Sequence, residues 1–359
     1  MKRLGGVYDA IGDWDNLRLA FWRAAKSARR SSVVRRFEAN FVGNLRALRE
    51  DLSNECVRAG GYTRFVIYDP KERIIAAPSF RDRVLHHAIM NVCEPHFDRW
   101  LVHDCYACRK GKGRLAALER ATAHAARNRW FLKLDIRKYF DSIPHERLLT
   151  AMERKIKDHR LLGLFARLIE DGQADRSGVG LPIGSLLSQH LANFYLNSVD
   201  RLCLERLKVD GYVRYMDDFV IWADDATEVR KTWRTLSSFV MDELGLELKS
   251  KAHMNRTEHG MDFCGFRIFP GWRVLNRRSR RRWESRFREI EALDDEGDQQ
   301  RRAQAMIAFA KEGSSWLFRG RMLARASTAR TAAVRGTTPP PTVARPTGTG
   351  TCRTTGTST

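Results

Sequence analysis

Three aspartates hold the chemistry this sequence could perform: Asp135, Asp217 and Asp218. The last two are adjacent in GYVRYMDDFVIWADD, residues 211–225, between runs rich in aromatic and β-branched residues. Such runs favour strands, and two of them around a short polar break predict a β-hairpin with the carboxylates at or beside its tip. Asp is also a common turn former, so the pair by itself fits a plain turn. Asp135 closes the apolar run FLKLD, which predicts a strand-end carboxylate. One strand-end aspartate and a hairpin pair can converge on two divalent cations. Mg2+ binds through few carboxylates, keeps water, and takes substrate phosphate oxygens as further ligands. Two such ions stabilise both the attacking and the leaving oxygens of an in-line phosphoryl displacement. The spacing alone fits equally well three aspartates with no chemical role in a large α/β chain.

Elements that could position these carboxylates are legible on either side. Residues 14–59 predict basic helices, with Phe37, Phe41, Leu45, Leu48 and Leu52 at helical spacing. YTRFVIYD (62–69) and ERIIAAP predict two strands joined by a turn at Pro70–Lys71, and RDRVLHHAIMNVCEPHF a helix. WFLKLDIRKYF (130–140) begins as an apolar strand, and HERLLTAMERKI after Pro144 reads as a helix. The Gly-rich loop SGVGLPIGS (177–185) opens the helix LLSQHLANFYLNSVDRLC. After the hairpin, EVRKTWRTLSSFVMDELG predicts a helix stopped by Gly245, and LELKS and MDFCGFRIF predict short strands. Residues 276–325 read as Arg-rich helices. From Ala326 the chain is mostly Thr, Arg, Pro, Gly and Ala, with too little to bury to offset its chain entropy, which predicts disorder.

The 359 residues suffice for more than one domain. Lys and Arg number 64 against 43 Asp and Glu, a net charge of +21 that calls for a polyanionic partner, nucleic acid before an anionic membrane surface. No apolar run is long enough to span a bilayer and the N-terminus has no apolar signal core, so a cytoplasmic protein is expected. Seven scattered cysteines fit reduced thiols. Cys105 and Cys108 form one CxxC beside His103, short of the four ligands of a structural zinc site.

YMDD between apolar runs resembles the active-site hairpin of reverse transcriptases. The resemblance extends over roughly residues 1–325, with six motifs in the family's order. FVIYDPKERIIAAPSFRDRVLHHAI looks like the fingers motifs and FLKLDIRKYFDSI like the first palm motif. GLPIGSLLSQHLANFYLNSVDR resembles the motif before the catalytic hairpin, and GLELKSKAH and MDFCGFRI the two after it. The implied fold is an α+β right-hand polymerase. Residues 1–130 would form N-terminal helices and fingers, 131–272 a palm with a fingers–palm loop at 177–190, 273–325 a helical basic thumb, and 326–359 a disordered tail. The implied function is RNA-directed DNA synthesis with two Mg2+ ions, Mn2+ able to substitute, on template RNA with a DNA or RNA primer and dNTPs. Ile183-Gly184 and Ser188-Gln189 give an IGxxxSQ pattern which, with HDCYACRKGKG (103–113), resembles the error-prone enzymes of diversity-generating retroelements. Those enzymes work with a small basic accessory protein. Group II intron-like, retron-like and defence-associated enzymes are similar in palm architecture. An inactive nucleic-acid-binding scaffold is the alternative of another class, and the three intact aspartates argue against it.

The resemblance implies a role for each matching residue. Asp135, Asp217 and Asp218 would be the metal carboxylates, with Ile136 contributing its backbone carbonyl. Lys251, or Lys249 in the other register, would protonate the leaving pyrophosphate. Arg73 and Arg81 would clamp the triphosphate, ahead of Lys71 and Arg83. Phe140 would stack under the incoming sugar and exclude a 2′-hydroxyl, although core packing would account for it as well. Ile183, Gly184, Ser188 and Gln189 would line the template–nucleotide pocket, or simply cap a helix. Phe263, Cys264, Gly265 and Phe266 would form the primer grip, or a plain buried strand. Arg109, Lys110, Lys112, Arg114 and the arginines of 277–288 would contact phosphates, with part of them solvated surface. The 55–62 connection is shorter than the family's. The Thr/Pro/Arg-rich tail fits a shifted reading frame beginning near 313–325.

Overall fold

The computed structural model describes residues 2–26, 28–68, 72–172, 177–250, 252–293 and 295–314. It divides into two units, one ending at Asn276 and one beginning at Arg277. The first unit opens with helices α1 (Tyr8–Ile11), α2 (Trp14–Ala25), α3 (Ser32–Ala39) and α4 (Phe41–Ser53). Hairpin β1 (Tyr62–Tyr68) and β2 (Glu72–Pro78) leads into the long helix α5 (Phe80–Trp100), and α6 (Arg114–Arg127) follows. Next come β3 (Trp130–Asp135), α7 (Tyr139–Ser142), α8 (His145–Glu153), α9 (His159–Asp171), α10 (Leu186–Tyr195) and α11 (Asn197–Arg201). Strands β4 (Gly211–Tyr215) and β5 (Asp218–Ala223) precede α12 (Ala226–Asp242). The unit closes with β6 (His253–Arg256), β7 (Met261–Phe263), β8 (Phe266–Phe269) and β9 (Trp272–Leu275). The second unit contains α13 (Arg277–Glu291) and α14 (Glu296–Lys311).

The central sheet has the order β4-β5-β3-β6, and each of its pairs is antiparallel. Its two faces follow from strand alternation. Leu132, Leu134, Tyr212, Phe219 and Ile221 are buried in the main apolar core with helices such as α5, α8 and α10. Phe131, Val213, Val220 and Trp222 occupy the other face and are also buried. There Trp222 stacks on His124 of α6 at 5.3 Å. A strand buried on both faces reads as a continuous apolar run, and FVIWA has that form.

Two expectations need correction. LELKS does not form a strand; the ladder partner of β3 is His253–Arg256. Continuing that register would set Ile136 against Ser250, but the observed bridge joins Ile136 to Leu248. That bridge is offset by two residues from the β3–β6 register, and β3 itself ends at Asp135, leaving little ladder for LELKS to join. The basic helical segment begins at Arg277 rather than 273, because Trp272–Leu275 pair with β8. The final part of that segment, 315–325, and the whole 326–359 tail lie outside the described residues.

Candidate active site

Asp135 and Asp218 are direct cross-strand partners at the end of the β3–β5 ladder, so their side chains share a sheet face. Asp217 lies in the turn just before β5, after Met216, whose φ of 58° is the left-handed conformation that closes so tight a turn. The three carboxylates are each half-buried. Asp135 Oδ1 and Asp218 Oδ1 are buried with no hydrogen-bond partner. Oxygens left that way are costly unless something else satisfies them. Burial is the main force on both hairpin aspartates. It pushes Asp218 up to about 6, opposed by Lys133 and reinforced by Asp135 and Asp217. It also raises Asp217, with Asp135 adding to the effect and Lys249 and Arg73 opposing it. Two orphaned carboxylate oxygens on one face, among mutually repelling acids, fit a divalent cation. Among the described residues no three His, Cys, Asp or Glu side chains form a cage by themselves. That donor set suits an ion that completes its shell with water and substrate phosphate.

Two lysines are paired with these acids. Lys133 Nζ lies 2.9 Å from Asp218 Oδ2 and donates to the Asp262 carbonyl at 2.6 Å. Lys249 pairs with Asp135, and its backbone N–H donates to the Asp135 carbonyl at 2.9 Å. The bridge of Leu248 to Ile136 thus sets Lys249 beside the acids; Lys251 lies outside the described residues. Lys133 was missed from the sequence, although its position two residues before Asp135 on one strand puts it on the carboxylate face. Arg214, also missed, donates from its guanidinium to the Met216 carbonyl at 2.9 Å.

The other predicted residues divide into those gathered around the turn and those committed elsewhere. Ile136 is buried and bridges Leu248. Arg73 is exposed on β2, and its charge acts on Asp217. Arg81 instead pairs with Asp51 of α4 and donates to the Arg58 carbonyl at 3.3 Å. Phe140 is half-buried against the core, and its carbonyl accepts from Leu181 N–H at 2.8 Å, tying the 177–185 loop beneath it. The Ile183 carbonyl accepts from Ala76 N–H of β2 at 2.7 Å. Ser188 is buried, its N–H facing the capping hydroxyl of Ser185 at 3.4 Å. Cys108 Sγ lies 3.6 Å from Gln189 Oε1 and 3.8 Å from Met216 Sδ, so Gln189 and Cys108 adjoin the hairpin turn.

Gly184 has φ 113°, and a Cβ there would sit 2.9 Å from Ile75 Cγ2 and 3.1 Å from the Ala76 carbonyl oxygen. Gly184→Ala is therefore expected to cost about 1–3 kcal/mol from backbone strain alone and to loosen β2 from the loop. Urea melts of the two proteins would measure this, and an unchanged midpoint would contradict the close approach.

Phe263 and Phe266 are paired across a two-residue turn, with Cys264 and Gly265 both at positive φ, 46° and 88°. They form the tip of a hairpin rather than one strand, and Lys133 reaches this hairpin through Asp262. Arg109 corrects an expectation. Its side chain is only 8% exposed and donates to Asp98 Oδ1 (2.6 Å) and to the carbonyls of Val102 (2.6 Å) and Cys105 (2.9 Å). It clasps its own loop instead of offering a guanidinium to phosphate. Lys110 pairs with Glu94 at 2.9 Å, Lys112 donates to the His103 carbonyl at 3.0 Å, and Arg114 lies over the Phe266 ring at 5.8 Å. In the second unit seven arginines between 277 and 288 are exposed around the buried Trp283 and Phe287.

Comparison with known proteins bears on this arrangement directly. The family described as reverse transcriptase (RNA-dependent DNA polymerase) matches residues 69–268, a span that includes all three aspartates. The chain belongs to the reverse transcriptase family. Its enzyme class is RNA-directed DNA polymerase, and its mixed helix-and-sheet architecture is the right-hand polymerase fold. This reverse transcriptase is 26% identical to Protein YkfC of Escherichia coli over 259 residues, 60% of this chain and 67% of YkfC. It is 26% identical to the putative COX1/OXI3 intron 2 protein of Saccharomyces cerevisiae, over 58% of this chain and 31% of that protein. With the group II intron-encoded protein LtrA of Lactococcus lactis it shares 28% identity over 39% of this chain and 24% of LtrA. The chain thus spans two thirds of YkfC and under a third of these intron-encoded relatives. Among solved structures, telomerase from Candida albicans aligns with a TM-score of 0.45 at 10% identity, over 76% of this chain and 56% of that one. Among the described residues no helix is long and apolar enough to cross a membrane.

Proposed function

We propose that this reverse transcriptase copies template RNA into DNA from a DNA or RNA primer, with Asp135, Asp217 and Asp218 holding two Mg2+ ions, for which Mn2+ can substitute. The observation that supports it most is the pair of orphaned carboxylate oxygens on Asp135 and Asp218, aligned across the ladder beside Asp217. When bound, the metals would supply charge stabilisation for the attacking 3′-oxygen and the leaving pyrophosphate. Asp135 and Asp217 hold their ligand oxygens in place through the sheet end and the turn. The Ile136 carbonyl is the further candidate ligand on β3. Lys249, paired with Asp135, and Lys251 are the two candidates to give a proton to the leaving pyrophosphate, and the Asp135 contact supports Lys249. Arg73 is the better candidate for the triphosphate, since Arg81 would first have to leave Asp51. Phe263, Cys264, Gly265 and Phe266 at the hairpin tip are the candidate primer grip. The arginines of α13, with Lys110, Lys112 and Arg114, are candidates for backbone phosphates.

Phe140 next to the 181–185 loop is the candidate gate against ribonucleotides. Phe140→Ala is expected to raise rNTP use relative to dNTP use by about 10²-fold, because an opened pocket no longer rejects a hydroxyl sterically. Single-nucleotide incorporation with each triphosphate would read this; an unchanged ratio would leave Phe140 with packing alone.

Within the family, the IGxxxSQ segment favours an error-prone enzyme of the diversity-generating type, acting with a small basic accessory protein. Gln189 is the candidate for altering how a templating base is held, and its contact with Cys108, which also touches Met216, supports that role. The intron-encoded relatives favour a group II intron-like enzyme instead. Sequencing cDNA made on a defined RNA separates these readings. Errors concentrated at template adenines support the first, and uniformly faithful DNA supports the second.

A further inference from the structure

We propose that Arg214, held by Asp200 and Asn193, is a positioning residue that fixes the turn carrying Asp217 and Asp218. Arg214 is fully buried on the core face of β4, opposite Phe219. A charge in such a place is tolerated only when paired and hydrogen-bonded. Each of its five guanidinium N–H groups has a partner. Nε donates to Asp200 Oδ1 at 2.5 Å, and Nη2 to Asp200 Oδ2 at 2.6 Å and the Asn193 carbonyl at 3.0 Å. Nη1 donates to Asn193 Oδ1 at 2.7 Å and to the Met216 carbonyl at 2.9 Å. The last bond separates a clamp from a space-filling ion pair. It grips the peptide between Met216 and Asp217, at the residue with φ 58° that sets the turn.

The anchors come from three directions. Asp200 belongs to α11 and also accepts from the Tyr212 hydroxyl at 2.6 Å. Asn193 belongs to α10, donates to the Ala107 carbonyl at 2.8 Å and accepts from the Cys105 thiol at 3.1 Å. The Arg214 backbone donates to the Asp104 carbonyl at 2.9 Å and accepts from Tyr106 N–H at 3.0 Å. The guanidinium therefore joins two helices to the turn, while the Arg214 backbone and Asn193 tie in the 104–107 loop. Lysine, with a point charge and no planar fork, cannot make these bonds together.

This inference rests on the polymerase reading above, and its test separates the two. The Arg214→Met/Asp200→Asn protein removes both buried charges and leaves an acceptor for Tyr212. Such neutral replacements of a buried pair often keep stability. The folded double variant is expected to bind primer–template within about twofold of wild type while kcat falls roughly 30- to 100-fold, the loss a displaced reacting geometry produces. Amide exchange in a peptide spanning 215–219 should rise by about tenfold or more with the rest of the unit unchanged. A folded double variant with wild-type kcat and wild-type protection of that peptide would overturn the proposal. If that protein does not fold, Arg214→Lys, which keeps the charge opposite Asp200, must show the same exchange and kcat losses, and wild-type values there overturn it equally. A wild-type chain inert on every template would refute the polymerase reading, and the exchange measurement would then decide the clamp by itself.

Discussion

Asp217→Asn is expected to lower the rate of nucleotide addition by about a thousandfold or more. A metal ligand at the reacting phosphate contributes several kcal/mol to the transition state, and about 4 kcal/mol is a factor of a thousand. Asp135→Asn should do the same, since the two side chains serve one site. The loss should fall on kcat and leave primer–template affinity nearly unchanged, because the binding cations lie elsewhere on the chain. Stability should move in the opposite direction. Burial and the neighbouring Asp135 already disfavour the ionised Asp217 carboxylate, and a neutral amide removes that cost. The metal-free Asp217→Asn protein should melt at or about 2 °C above wild type. Single-turnover incorporation and thermal melts of the same preparation would check both halves. A variant that loses activity together with several degrees of stability would point to a packing role.

The second large effect is on pH. Asp218 is pushed up to about 6 from an ordinary 3.8, chiefly by burial, so the folded chain binds its proton more readily than the unfolded chain. The stabilisation from that proton is fully present below about pH 4 and is lost as pH rises through about 6. In the absence of metal, this group therefore makes the fold less stable at pH 8 than at pH 5. The shift corresponds to a cost on the order of 3 kcal/mol for the ionised form. A cation that binds only the ionised carboxylates reverses the trend. Excess Mg2+ should raise Tm clearly at pH 8 and hardly at pH 5, by mass action on the folded state. Activity should fall about tenfold per pH unit below about 6 for the same reason. Melts across this range with and without Mg2+ would measure it, and a Mg2+ effect of equal size at pH 5 and pH 8 would contradict the assignment.

The parts of this site legible in sequence were those encoded locally. The apolar run FLKLD predicted a strand-end carboxylate and the runs around Met216-Asp217-Asp218 a pair at or beside a hairpin tip; the ladder that sets Asp135 opposite Asp218 became visible only in the fold. Gly245, with φ 62°, follows α12 as its predicted stop. The parts that were not legible depend on register or on distant partners. Nothing local to LELKSKAH reveals the bridge of Leu248 to Ile136, which sets Lys249 beside Asp135. Arg109 reads as one more cation in a basic stretch, because the Asp98 and carbonyl partners that occupy it depend on how the loop closes. Arg214 reads as a polar residue in a strand, and only the fold shows that Asp200 and Asn193 lie opposite it.

The most direct test of the central claim is extension of a labelled primer on an RNA template by the purified chain, with Mg2+ and dNTPs, beside the Asp217→Asn protein. The account predicts DNA complementary to the RNA, dependent on Mg2+, from the wild-type chain and at least about a thousandfold less from the variant. Equal product from the two proteins, or synthesis that persists without divalent metal, would contradict it.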